Sequence, residues 1–107
     1  MILKIDSTKR AEVIVELKED SKIVDKLVSK QMNGSQVLIF IIVKILKKND
    51  KSPADISEIQ VNPGPGSFTG TRVGVAVANA LAFALDIPVN GKKGKIVEPI
   101  YEKSKFD

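Results

Sequence analysis

Apolar and polar residues alternate at the start of the chain. Ile2, Leu3 and Ile5 open a short strand that ends at Asp6, and Val13, Val15 and Leu17 alternate with Glu12, Ile14 and Glu16. A period of two predicts half-buried strands. Lys18 to Ser21 reads as a turn, and Ile23 to Val28 as a third strand. Short connections favour antiparallel neighbours, so the three strands form a meander.

After a polar loop, Ser29 to Gly34, the pattern changes. Ser35 is a suitable N-cap for Gln36 to Lys48, which carries the unbroken apolar run Val37 to Val43, then Ile45 and Leu46. The run is short of the roughly 20 apolar residues that span a bilayer. Its length, its cap and the Lys44, Lys47, Lys48 cluster at its end favour a helix over a strand. A loop from Asn49 to Asp55 leads to a strand within Ile56 to Asn62, marked by Ile59 and Val61. A Gly/Pro-rich turn follows, and the Ala-rich stretch Thr71 to Leu85 predicts a second helix. Asp86 leads to Ile87-Pro88-Val89, a fifth strand placed at a sheet edge by its proline.

The order is β-β-β-α-β-α-β: an α/β lobe with a mixed five-stranded sheet and two main helices. Helical crossovers make the first, fourth and fifth strands parallel. Residues 1–90 form this lobe. Residues 91–107 change character, with a basic joint, Gly91 to Lys95, and an extended tail that begins at Ile96-Val97-Glu98-Pro99-Ile100-Tyr101.

Composition narrows the chemistry. The 107 residues contain no cysteine and no histidine. Disulfides, thiolate nucleophiles, Cys/His zinc sites and histidine general bases are therefore excluded. Neither a metal site nor a cofactor is expected. Net charge is +4, with 17 lysines and arginines against 13 acids. Only Arg10 and Arg72 are arginines, so the excess reads as a solvated lysine surface before it reads as a nucleic-acid site. Met1 to Asp6 lacks the charged-then-apolar layout of a secretory signal, and a cytoplasmic location is expected.

The turn Gly64-Pro65-Gly66-Ser67-Phe68-Thr69-Gly70, lying between a strand and a helix, invites comparison with anion cradles. A phosphate loop needs four residues between its glycines and then a lysine; only three residues separate Gly66 from Gly70, and Thr71 stands in the lysine's place. The dinucleotide fingerprint fails by one residue between the second and third glycines, and Asp86 begins a strand where a ribose-binding acid should end one. A tight turn with close helix–sheet approach explains the glycines without a ligand.

The run Asn62 to Ala76, NPGPGSFTGTRVGVA, closely resembles the signature of the TsaB (YeaZ) family. The likeness extends through Ala78 to Leu85 and Ile87-Pro88-Val89. Ile2 to Thr8 resembles the family's opening strand, with Asp-Ser-Thr for its Asp-Thr-Ser. Gly34-Ser35-Gln36 stands where a His-Ser-Glu helix start is usual, without the histidine or the acid. Val97 to Tyr101 resembles the family's C-terminal Glu-Pro-x-Tyr segment. The resemblance implies an RNase H-like lobe of the actin/Hsp70-type ATPase superfamily. It also implies a noncatalytic dimerization subunit in tRNA threonylcarbamoyladenosine synthesis, with catalysis residing in a TsaD partner. Typical members carry a second, C-terminal lobe. Here Gly91 to Lys95 stands at its place, as expected of a minimal form that keeps the first lobe and the tail.

The residues reach a partner by a separate route. Val37 to Leu46 is interrupted only by Lys44, and Val73 to Leu85 only by Asn79. A sheet covers one side of each helix, and nothing is left to cover the other. Gly74, Ala78 and Ala82 recur every four residues, as do Ala76, Ala80 and Ala84, so one row packs on the sheet and the other admits another chain. The expected partner-binding residues are Gln36, Ile39, Phe40 and Val43 on the first helix. On the second they are Gly74, Val75, Ala78, Asn79, Ala82 and Phe83. The signature turn, Gly64 to Gly70 with Arg72, adjoins them. The family implies a TsaD-like partner, a TsaE-like ATPase beside it, and a homodimer when alone, with tRNA reached indirectly and no membrane. The rival reading is a small nucleotide- or phosphate-binding lobe that uses the Gly64–Gly70 turn. A third is an RNA-binding module that uses the lysines.

Overall fold

The computed structural model describes residues 1–30 and 35–100. Strands β1 (Ile2–Asp6), β2 (Glu12–Glu19) and β3 (Lys22–Lys30) form the expected meander. The β2–β3 hairpin closes on Asp20 and Ser21, at φ 51° and 68°. Two left-handed residues make the tight turn whose twist matches the strands it joins. Both strands therefore run one or two residues further than their apolar positions suggest.

Helix α1 (Ser35–Lys48) follows, then a single 3₁₀ turn at Pro53–Asp55, strand β4 (Glu58–Val61) and helix α2 (Phe68–Leu85). The N-cap expected of the Ser35 side chain and the loop residues 31–34 lie outside the described residues. β4 pairs parallel with β1, giving the sheet order β3-β2-β1-β4.

Among the described residues the sheet has four strands, not five. Val89 makes only a single parallel bridge with Ile59. Pro88 has no amide hydrogen to donate, and Asn90 and Gly91 turn the chain away at φ 50° and 80°. The Asn90 side chain then does what a longer strand would do. It accepts from Val61 N at 2.8 Å and donates to Val61 O at 3.0 Å.

Alternation decides the two sheet faces. Leu3, Ile5, Val13, Val15, Leu17, Ile59 and Val61 point to one side and are buried. Leu38, Ile41, Ile42, Ile45 and Leu46 of α1 and Val75, Val77, Ala78 and Ala82 of α2 complete the same core. The other face carries cross-strand charges, with Lys4 opposite Glu16 and Glu16 opposite Lys26. Both helices thus lie side by side on one face of the sheet, α1 over β2 and β3, α2 over β1 and β4.

Candidate docking face

The N-terminus of α2 is pinned to the end of β1 by close backbone approach. A side chain at Gly66 would meet Thr8 Cβ at 2.6 Å. One at Gly74 would occupy the place of the Ser7 hydroxyl. That hydroxyl is buried and donates to Gly70 O at 2.6 Å. Ser67 caps the helix, its Oγ accepting from Gly70 N at 3.4 Å and its N donating to Thr8 O at 2.7 Å. The helix thus begins at Phe68, three residues before the Ala-rich stretch. These approaches account for Gly66 and Gly74 through packing alone.

Asp6, at the end of β1, is occupied by its surroundings. It accepts from Thr8 N at 3.0 Å, Thr8 Oγ1 at 2.7 Å and Asn62 Nδ2 at 3.2 Å. Partial burial pushes its pKa up, but these three hydrogen bonds and the charge of Lys9 outweigh burial and hold it below the ordinary aspartate value. Asp86 is not a strand residue: it ends α2 in the left-handed conformation, with its N–H directed to Ala82 O and Phe83 O.

Apart from Asn79, the expected partner-binding residues divide into two groups. Gln36, Ile39, Phe40, Val43 and Phe83 are exposed, Phe40 to 66% and Phe83 to 89%. Gly74, Val75, Ala78 and Ala82 are buried in the chain's own core. The outward row of α2 is the other small one, Ala76, Ala80 and Ala84, beside Thr69 and Arg72. The sequence reading assigns the Gly74, Ala78 and Ala82 row to the partner; it is instead the row that packs on the sheet, because the Ser7 hydroxyl fills the space beside Gly74 and the chain closes there on its own core. α2 is long and apolar enough to cross a membrane by composition, but its Gly74–Ala82 row is packed on the sheet in the manner of a core helix.

Of the signature turn, Gly64, Gly66, Ser67 and Gly70 serve packing and capping. Pro65, Phe68, Thr69 and Arg72 face out. The Arg72 guanidinium lies 5.1 Å from the Phe68 ring centroid. A shallow groove of about 380 Å³ runs along Thr69, Arg72, Val73 and Ala76. A second groove, of about 500 Å³, follows Phe40 and Val43 to Lys44, Lys47 and Lys48.

Asn79, expected on the outward face, is half-buried beneath the chain's own tail. Its carboxamide holds Val97 through both backbone groups, and Ile100 N donates to Pro63 O at 2.6 Å. Gly64, at φ 106°, has no room for a side chain because the Ile100 carbonyl lies against it. The tail leaves Ile96 exposed beside Phe83, and Ile100 exposed next to Pro63 and Gly64. In the sequence pattern, a lone Asn in an apolar helix was the only signal of this docking. Tyr101 lies outside the described residues.

A meander of three strands, a parallel fourth and two helices on one face define one lobe of an RNase H-like, actin-like α/β fold. Residues 22–91 match the family described as TsaD: tRNA N6-adenosine threonylcarbamoyltransferase. The chain belongs to that family, on its TsaB/YeaZ side. It is 38% identical over 89 residues to the tRNA threonylcarbamoyladenosine biosynthesis protein TsaB of Bacillus subtilis, a match covering 83% of this chain and 39% of that protein. It is 35% identical over 57 residues to the Escherichia coli protein of the same name, covering 53% of this chain and 25% of the relative. The solved structure of YeaZ from Pseudomonas aeruginosa superposes with a TM-score of 0.73 at 26% identity, covering 82% of this chain and 41% of that one. The chain thus spans about two-fifths of the length of the Bacillus subtilis relative.

Proposed function

We propose that the chain acts in the cytoplasm as a noncatalytic docking subunit in tRNA threonylcarbamoyladenosine synthesis. It holds a TsaD-like catalytic subunit on the outward sides of α1 and α2. The observation that carries this reading is the exposure of the large apolar side chains Ile39, Phe40, Val43, Phe68 and Phe83 on two adjacent helices, since gathered apolar side chains in water mark interaction surfaces. The outward row of small residues on α2, Ala76, Ala80 and Ala84, allows a facing helix to approach closely. Family membership supplies the pathway, through relatives named for that synthesis and for the transferase itself.

Asp6 supports the noncatalytic part of the reading, since its carboxylate is committed to Thr8 and Asn62. When no catalytic subunit is present, a second copy takes the face. A TsaE-like ATPase joins the assembled pair, and tRNA is reached through the partner.

Co-expression with the TsaD-like protein of the same cell tests this. A complex of defined mass is expected, together with no heat on titrating ATP or ADP into the isolated chain. A chain that elutes alone and binds nucleotide would sink the reading.

A further inference from the structure

Among the described residues, Asn90 alone is an asparagine followed by a glycine. Asn49 precedes Asp50, Asn79 precedes Ala80 inside α2, and Asn62 precedes Pro63, which has no amide hydrogen. In an Asn-Gly pair the glycine nitrogen stands within reach of the side-chain carbonyl carbon, and no Cβ hinders its approach. Asn90 and Gly91 are the central residues of a two-residue turn, at φ 50° and 80°. Lys92 N closes it on Val89 O at 3.1 Å, and Val89 N on Lys92 O at 3.2 Å. Gly91 N makes no hydrogen bond among the described residues. Asn90 is exposed at the rim of an open cleft of about 530 Å³, so water reaches the pair.

The same asparagine closes the outer edge of β4. Ile59 N donates to Pro88 O at 3.0 Å, and Asn90 N donates to Ile59 O at 2.8 Å. Val61 is met on both backbone groups by the Asn90 carboxamide, as described above. We propose that Asn90–Gly91 is a self-modification site, an intramolecular deamidation held back by the contacts that it destroys. Gly91 N attacks Asn90 Cγ to form a cyclic imide. The Cγ–Nδ2 bond breaks, and Nδ2 departs as ammonia after the Gly91 amide hydrogen reaches it through water. A water molecule then opens the ring at one of its two carbonyls, leaving an aspartyl residue linked through its α- or its β-carboxyl. Water is consumed, ammonia is released and nothing is oxidised or reduced. Ring closure requires the carboxamide to leave Val61, so the reaction waits on local opening of residues 88–90. Either product carries a carboxylate, which still accepts from Val61 N but has no hydrogen for Val61 O. The β-linked product also lengthens the main chain by a carbon, and the two-residue turn no longer closes. The edge of β4 is then uncovered, and an unpaired edge recruits further strands. The inference does not depend on the docking role proposed above.

The test needs only the wild-type chain. It is aged in mildly alkaline buffer, folded and, in parallel, in strong denaturant. Peptide mapping by fragmentation mass spectrometry reads position 90 apart from Asn33, the chain's other asparagine before a glycine. Position 90 is expected to convert in denaturant, and at least about tenfold more slowly in the folded chain, where opening must come first. The isolated β-linked chain should show faster amide exchange at Val61 and Lys92, with Ile5 and Val15 still slow. Asn90→Asp supplies the α-linked product directly and should loosen Val61 while Lys92 stays slow. Conversion as fast in the folded chain as in denaturant overturns the guarding role of β4. No conversion in denaturant overturns the site itself. Unchanged exchange in the converted chain overturns the loss of the edge.

Discussion

The carboxamide of Asn79 and the backbone of Val97 are joined in both directions, each at 2.9 Å: Nδ2 donates to the Val97 carbonyl, and Oδ1 accepts the Val97 amide. A helix side chain thereby takes the part of a neighbouring strand. Val97 packs its side chain against the core at the same time.

Asn79→Ala should therefore release the tail without disturbing the sheet. The expected loss is about 1–2 kcal/mol, the scale of two partly exposed hydrogen bonds. Amide exchange should quicken at Val97 and Ile100 and stay slow at Ile5 and Val15. Asn79→Asp should fall between, since a carboxylate still accepts from Val97 N but cannot donate to its carbonyl.

Gly74→Ala should destabilise the domain by about 1–3 kcal/mol, because the added methyl takes the place of the Ser7 hydroxyl. Ser7→Ala in the same chain removes the obstruction along with its hydrogen bond to Gly70. The double variant should lose less than the sum of the two single variants, measured by denaturant unfolding.

A glutamate scan of α2 separates its two small rows. Ala78→Glu buries an unpaired charge where no solvent reaches, and should cost more than about 4 kcal/mol. Ala76→Glu and Ala80→Glu fall on the outward side, and stability should change by no more than about 0.5 kcal/mol. Partner capture should fail for these two while their circular dichroism matches wild type. Capture at wild-type yield would move the face elsewhere.

Asp6 gives a pH dependence of fixed sign. Its folded pKa is lowered, so the stability it contributes is complete above the ordinary value of 3.8 and fades as pH drops below that toward the folded value. Asp6→Asn should flatten the acid limb of the unfolding curve and leave neutral-pH behaviour nearly parallel. An unchanged acid limb would show that Thr8 and Asn62 do not stabilise the ionised form.

Much of the lobe was legible because burial follows period. Leu3 and Ile5, or Val13, Val15 and Leu17, can only point one way in a strand. The exposed patch at Ile39, Phe40 and Val43 was legible too, as an apolar run with too little sheet to cover it. Three features were not. The pattern assigns the Gly74 row to the partner, whereas the Ala76 row is the one that faces out, because what fits against Gly74 is Ser7, remote in sequence. The fifth strand looked sound from Ile87 and Val89, but its continuation is replaced by the Asn90 side chain on Val61. The tail's place depends on Asn79 and Gly64, two residues whose types fit many roles.

Between the clamp at Asn79 and the bridge at Val89, the chain passes through Gly94, where an added side-chain carbon would meet nothing within 4 Å. Splicing extra polypeptide there would disturb no packed atom, and each doubling of the loop adds only about 0.6 kcal/mol of closure entropy. The lobe and its returning end form a socket open on one side, into which a fluorescent reporter or a whole further module could be grafted with both seams left closed.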